Sequence, residues 1–239
     1  MITLLWMYPR HLNTYGDGGN LLALRMRCRW RGIDTVLWPV DPGDRLPRRA
    51  DVVFIGGGQD RSQTVVAPAL QQHRDGLEAL VDDGAVVLGV CAGYQFLGHR
   101  IVQSDGSVLD GLGLLDVVTA AGAERCTGKI VVDPHPALEL PATLVGFENH
   151  GGRTRLGGDP ETRPLGRVVR GHGNGDDEGT EGAFRGDVFG TYLHGPVLPT
   201  NPGFCDLLIR RALNARGATT DLEPLPDGVE HDAAAAYRT

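Results

Sequence analysis

The run Val86-Val87-Leu88-Gly89-Val90-Cys91-Ala92-Gly93 sets a cysteine between two glycines, each two residues away. A buried strand that turns sharply into a helix forces its corner residue into a strained conformation, and flanking glycines let the chain pass itself without a Cβ clash. The corner side chain then stands at the rim of the sheet, beside N–H groups of a helix N-terminus whose partial positive charge favours a thiolate. The chemistry of such a residue is nucleophilic attack with a covalent intermediate. A buried structural cysteine fits the same letters, because free cysteine is among the most buried residue types. Cys28, Cys126 and Cys205 lack the glycine pattern and read as structural thiols.

A cysteine nucleophile needs a base, and eight histidines are available. His194 ends the β-rich run Gly190-Thr191-Tyr192-Leu193 and precedes Gly195-Pro196, a strand-end loop of the kind that carries catalytic residues. His150, in Phe147-Glu148-Asn149-His150-Gly151-Gly152, lines the same rim if its segment is a strand. His73 falls beside Arg74 and Asp75 on what reads as the solvated face of a helix. A second loop, Gly56-Gly57-Gly58-Gln59-Asp60, follows the apolar Val52-Val53-Phe54-Ile55. Its N–H groups, with that of Ala92, could bind an oxyanion, and losing one such donor typically costs ~10²–10³ in rate. A plain tight turn is the alternative, and a phosphate loop fits less well, since no Lys-Ser/Thr follows.

These loops must be held by a scaffold. Residues 2–8, 34–40, 51–55 and 85–90 read as strands. Residues 17–32 and 68–84 read as helices between them, the first with Asp17 as its cap, the second opened by Pro68 and closed by Gly84. Such alternation predicts an α/β fold with a parallel sheet covered on both faces, with ligands beyond the C-terminal strand ends. Residues 100–119 carry an Asp-Gly turn between β-rich runs, and 129–133, 143–149, 166–171 and 187–195 read as further strands, so the mostly parallel sheet gains antiparallel strands. Residues 202–217 form a last helix, and 217–239, poor in large apolar residues, read as an extended or mobile C-terminal arm that could bind a partner. Residues 1–216 then make one domain.

The 239 residues are 41% hydrophobic and 22% charged, with a net charge of −7. That balance argues against a broad grip on nucleic acid. No apolar stretch reaches membrane-spanning length, and Met1–Arg10 lack the pattern of an export signal. Four cysteines without metal spacing predict reduced thiols in the cytoplasm, no metal site and no disulfide framework.

The segments Gly56-Gly57-Gly58-Gln59-Asp60, Gly89-Val90-Cys91-Ala92-Gly93-Tyr94-Gln95 and Gly190-Thr191-Tyr192-Leu193-His194-Gly195 resemble, in order and spacing, those of class I (triad-type) glutamine amidotransferases. The similarity is closest to their cobyric-acid-synthase-like branch. With the segments 12–20, 146–154, 173–182 and 190–202 it extends to GatD-type glutaminase subunits of lipid II isoglutaminyl synthase. The resemblance covers residues 1 to 216.

The resemblance implies a three-layer amidotransferase fold and a glutaminase reaction. Cys91 would attack the side-chain amide of L-glutamine, and His194 would move the proton. Gly57, Gly58 and Ala92 would hold the oxyanion. Arg125 would pair with the substrate α-carboxylate, and Gln95 and Asn149 would make further substrate contacts. Many class I members carry a glutamate two residues after the histidine; here that position is Pro196. The resemblance therefore implies a Cys–His dyad whose third group is missing, is a backbone carbonyl, or comes from a partner.

No P-loop motif occurs, so carboxylate activation would fall to another polypeptide, a MurT-like ATP-dependent Mur ligase subunit holding ATP and Mg. The chain itself would need no cofactor. The heterodimer would amidate the D-glutamate α-carboxyl of lipid II, which the partner binds, with no direct membrane insertion. The acidic loop 173–182 and the C-terminal arm are the expected docking surface. A corrinoid-type glutaminase, a cysteine hydrolase or peptidase, and a non-catalytic scaffold remain the rival readings.

Overall fold

The computed structural model describes residues 1–175, 178–218 and 221–238. Five strands build a parallel sheet: β1 (Ile2–Met7), β2 (Thr35–Val40), β3 (Val52–Ile55), β4 (Val86–Val90) and, late in the chain, β12 (Val188–Thr191). β11 (Ala183–Arg185) adds an antiparallel edge, giving the order β11-β12-β4-β3-β1-β2. β3 and β4 are buried at every position, as central strands covered on both faces must be.

A second sheet follows. β5 (Arg100–Val102) and β6 (Val108–Asp110) form the hairpin expected around Asp105-Gly106. β7 (Val117–Pro134) is 18 residues long, pairs antiparallel with β8 (Leu144–Leu156) and shifts register between Ala121 and Cys126. β9 (Gly166–Arg170) and β10 (Thr180–Glu181) complete the order β10-β9-β7-β5-β6. The sequence pattern marked only the ends of β7 and β8, because their alternation breaks where they line the site. Buried side chains of both sheets join in one hydrophobic cluster, from Leu4, Phe54 and Leu88 to Ile101, Ile130 and Leu144.

Among the described residues, seven α-helices connect and cover these strands. α1 (Gly18–Trp30), α2 (Asp60–Gln72) and α3 (Arg74–Asp82) lie between the early strands, and α4 (Ala92–Leu97) follows β4. α5 (Val197–Thr200) and α6 (Pro202–Asn214) follow β12, and α7 (Gly228–Arg238) ends the chain. α1 packs against α5 and α6, while α4 touches β3, β4 and β12 of one sheet and β5 and β7 of the other.

Three local expectations are corrected. The helix expected from 68 begins eight residues earlier, and Pro68 lies inside it. Pro68 has no N–H to donate one turn back, but buried Val66, Ala67, Ala69 and Leu70 hold the helix in place. His73 is not on a solvated face: Tyr8 Oη donates to its Nδ1 at 2.7 Å, and its Nε2 donates to the Asp44 carbonyl at 2.9 Å. It thereby marks the break between α2 and α3.

The third correction concerns the tail, which folds back instead of extending. Its alanine run favours helix, and small side chains let α7 sit close on Val131 and Val145 through Ala234 and Tyr237. Lys129 Nζ donates to the Ala236 carbonyl at 2.8 Å. At the start of the segment Arg27, nearly fully buried, binds both Asp206 and Asp227 at 2.6 Å. Among the described residues no helix is long and apolar enough to cross a membrane.

Candidate active site

The elbow has the geometry its glycines predict. Cys91 takes φ 53° and ψ −105°, a conformation L-residues hold only when the surroundings impose it. A Cβ on Gly93 would lie 2.0 Å from the Ile55 carbonyl oxygen, and one on Gly89 would lie 2.7 Å from Leu97 Cδ1. No larger residue fits either place. The Cys91 N–H donates to the Thr191 carbonyl at 2.8 Å, tying the corner to the strand that leads to His194.

β4 and β12 are hydrogen-bonded neighbours with Gly89 opposite Gly190 and Val90 opposite Thr191. Cys91 and His194 therefore leave adjacent strands at the same rim. His194 is also anchored by a two-way backbone bridge to Phe147 of β8, at 2.7 and 3.1 Å. Gly57 lies among the groups at this rim. A Cβ there would come 2.8 Å from His194 Cε1, 3.1 Å from Asp17 Oδ2 and 3.4 Å from Cys91 Cβ.

Asp17 was expected to cap α1 and does not; its side chain makes no cap hydrogen bond. It is fully buried and turns into the site instead. Oδ2 accepts the Gly57 N–H at 2.5 Å, and Oδ1 faces His194 Nδ1 at 3.7 Å. Composition gave no signal for this, since Asp before a helix reads as a cap. Only the tertiary contacts reveal it, and its neighbours share them: Gly18 lies against Trp6, Gly19 against Pro196, and Asn20 Oδ1 accepts the Leu198 N–H.

Burial alone would lower the basicity of His194, but the charges of Cys91 and Asp17 outweigh it and push the imidazole up to about 10. Asp17 Oδ1 lies 3.7 Å from Nδ1, beyond hydrogen-bond length, and neither ring nitrogen completes a geometrically good hydrogen bond. Tyr15 crosses the ring edge-on with centroids 5.2 Å apart.

Around Cys91 and His194 opens a cavity of about 650 Å³, of the size usual for small-molecule sites. Gln63, Gln95, Thr119 and Gly152 form part of its wall, and Tyr15, Arg125 and Asn149 are among its polar lining. Arg125 Nε and Nη2 both donate to Asn149 Oδ1, at 3.0 and 2.8 Å, and Asn149 Nδ2 donates to Tyr15 Oη. The guanidinium is exposed, on the bulged middle of β7. Gln95 is engaged at both ends: it accepts from Gln63 Nε2 at 2.9 Å and donates to Tyr192 Oη at 3.1 Å. Gly57 has spent its N–H on Asp17, which leaves Gly58 and Ala92 as oxyanion donors of the expected set; Ala92 opens α4, where an N–H has no carbonyl one turn earlier.

The other candidates separate cleanly. His150 lines the cavity, but it stacks on Tyr192 at 3.7 Å and donates Nδ1–H to the Gly152 carbonyl. Burial lowers its basicity. Cys28 and Cys205 are fully buried, and burial pushes Cys28 up to about 11 and Cys205 well above the ordinary thiol range. Cys126 is also buried and raised.

Known proteins share this architecture. A CobB/CobQ-like glutamine amidotransferase domain profile matches residues 3–202. The chain belongs to that family. Among relatives, the lipid II isoglutaminyl synthase subunit GatD of Staphylococcus aureus (strain N315) is 36% identical over 97% of this chain and 93% of its own length. The corresponding GatD subunit of Streptococcus pneumoniae (strain ATCC BAA-255 / R6) is 33% identical over 99% and 90%. The structure of PurLQS from Thermotoga maritima superposes with a TM-score of 0.60, covering 89% of this chain and 98% of that one at 17% identity; that likeness shows the fold. The chain is thus a glutamine-hydrolysing amidotransferase subunit, and the Cys91 elbow lies inside the matched CobB/CobQ-like segment.

Proposed function

We propose that this amidotransferase chain is the glutaminase of a lipid II isoglutaminyl synthase and works through Cys91 and His194. The observation that carries the chemistry is the convergence on Gly57, whose absent Cβ would touch both residues. Cys91 Sγ attacks the side-chain amide carbon of L-glutamine, and the thiol proton passes to His194. The tetrahedral oxyanion is held by the Gly58 and Ala92 N–H groups. As the C–N bond breaks, the imidazolium gives its proton to the departing nitrogen, which leaves as ammonia. Water then attacks the thioester, its proton passing through His194, and glutamate departs as the thiol reforms. Arg125, held by three hydrogen bonds to Asn149, offers its guanidinium to the substrate α-carboxylate.

The ammonia is used by a MurT-like, ATP- and Mg-dependent ligase subunit, which amidates the D-glutamate α-carboxyl of lipid II in the cytoplasm. Kinship with isoglutaminyl synthase subunits over nearly the whole of both chains supports this acceptor. Ammonia released to water would be protonated, so docking must seal the path. We assign docking to the loop 173–182, of which Asp176 and Asp177 lie outside the described residues, and to the C-terminal segment, whose Tyr237 hydroxyl borders Gly195. In the assembled complex with ATP and lipid II, Cys91→Ala should abolish glutamine-dependent amidation and preserve ammonium-dependent amidation, both read by mass spectrometry. Glutamine use by the Cys91→Ala complex would overturn the reading.

A further inference from the structure

One wall of the cavity is built by a chain of uncharged polar side chains. Gln63 of α2, Gln95 of α4, Tyr192 just past β12, Thr154 of β8 and Thr119 of β7 follow one another, and all five are buried. Gln63 Nε2 donates to Gln95 Oε1 at 2.9 Å, and Gln95 Nε2 donates to Tyr192 Oη at 3.1 Å. The Tyr192 and Thr154 hydroxyls meet at 2.6 Å, and those of Thr154 and Thr119 at 2.7 Å. The chain thus crosses from the helices of the first sheet to the long strands of the second. Gly152 leaves room for it: a Cβ there would come 2.5 Å from Gln95 Nε2 and 2.8 Å from Tyr192 Oη.

We infer that Gln63 is a positioning residue for glutamine binding: by donating to Gln95 Oε1 it holds the Gln95 amide in one of its two orientations in the cavity wall. The inference rests on the reading of this cavity as the glutamine site and deepens it. A side-chain amide is nearly symmetric in shape but not in chemistry, with an acceptor at one end and donors at the other. Tyr192 accepts either end, because a hydroxyl both donates and accepts, and burial keeps it a hydroxyl by raising its titration. Gln63 is therefore the neighbour that discriminates. Its NH2 on Gln95 Oε1 turns the Gln95 NH2 to Tyr192.

After these two bonds Gln95 retains one N–H and one oxygen lone pair. Gln95 stands one helical turn after the nucleophile, and its backbone N–H donates to the Cys91 carbonyl at 3.0 Å. The retained groups are what this side chain offers a substrate held at Cys91, and reversing the amide exchanges them. Gln63 acts through Gln95 and not on the reacting atoms.

Two substitutions test this on the full chain. Gln63→Leu removes the bond at similar size. Gln63→Glu puts there a carboxylate that, when ionised, only accepts and so forces the Gln95 amide to reverse; once protonated, the same carboxyl has an O–H and donates as the amide did. Cys91, Asp105, Glu124, Arg125, His150 and His194 also line this cavity. They are common to parent and variants, so the ratio of KM values at each pH removes their titration. Gln63→Leu should raise KM for glutamine roughly three- to tenfold, the effect of one lost hydrogen bond, with kcat within about threefold of the parent. Gln63→Glu should raise KM at least as much at pH 8, and its ratio to the parent should fall toward one as the pH drops and the buried carboxyl takes up its proton. The Gln95 side-chain NH2 signal in ¹⁵N NMR, identified by its absence in Gln95→Leu, should shift in both variants without substrate. An unchanged KM in Gln63→Leu, a Gln63→Glu deficit that does not vary with pH, or an unmoved Gln95 signal each overturns the inference. The pH series is internal to one variant, so a loss of stability common to both substitutions does not imitate it. A parent chain that turns over no glutamine, alone or with the ligase subunit, would count against the glutaminase reading and leave the NMR arm to decide this one.

Discussion

Pro196 packs so tightly on Gly19 that a Cβ on the glycine would come 2.5 Å from the proline Cγ. The contact fastens the segment after His194 to the first turn of α1, and the bond from Leu198 N–H to Asn20 Oδ1 reinforces it at 2.9 Å. Pro196, two residues past His194, thus holds the loop ahead of α1 against the strand-end rim. Gly19→Ala should push the two segments apart. Because a displacement of about 1 Å can cost 10²-fold, kcat should drop by about that factor, and steady-state kinetics beside a thermal melt would separate this from unfolding. Full turnover in Gly19→Ala would show that the contact is incidental.

Cys91 ranks ahead of Asp17 among the influences that raise His194. Removing the sulfur should therefore lower the imidazole midpoint from about 10, even though the ring stays buried. The sign follows from charge: a negative neighbour favours imidazolium, and without it burial favours the neutral ring. Histidine ¹⁵N chemical shifts followed through a pH series in Cys91→Ala check this. An unmoved midpoint would mean that thiol and imidazole do not interact.

Glu181 predicts how stability responds to pH. It is completely buried, and burial raises its carboxyl to about 7, although the Thr191 hydroxyl and the Tyr192 N–H both donate to it. The native state then binds a proton that the unfolded chain has released. Stability should fall as pH rises from about 4.5 to about 7 and level off above, by up to roughly 3 kcal/mol from this group. Glu148 acts in the opposite sense. Burial favours its neutral form, but bonds from His172 and Gly173 hold its carboxyl below the usual range, so its contribution is lost as the pH falls through the acid range. Urea denaturation of Glu181→Gln and the parent at pH 5 and pH 8 isolates the first effect. Parallel pH dependences would refute it.

Arg125→Lys keeps a cation at the cavity but loses the planar fork and its paired hydrogen bonds to Asn149 Oδ1. A charged hydrogen bond of about 1.5–3 kcal/mol corresponds to a KM for glutamine raised by roughly 10- to 100-fold, with kcat little affected. A fall in kcat at constant KM would place Arg125 elsewhere in the reaction.

Much of this site was legible in the sequence because steric need leaves a mark. Gly89 and Gly93 flank Cys91 for want of space, and Gly56 to Gly58 mark a close approach of backbone. The parallel strands showed as unbroken apolar runs. Asp17 was not legible, since its letter serves a helix cap as well as a buried partner, and only tertiary contact distinguishes them. Nor was the extent of β7: its exposed middle, Ala121 to Arg125, carries neither alternation nor apolar content. The tail misled for the opposite reason. Helix α7 is held by small residues and a few polar ties, which hydrophobicity does not record.

The two halves of the site are built from different materials. Cys91 and His194 hang from neighbouring strands whose spacing a backbone ladder fixes at about 4.8 Å, whereas Asp17 and Tyr15 arrive on a short loop in which Tyr15 holds φ 58°. A displacement of that loop by a fraction of an ångström therefore shifts Asp17 and Tyr15 against the imidazole ring while Cys91 and His194 stay fixed in the scaffold.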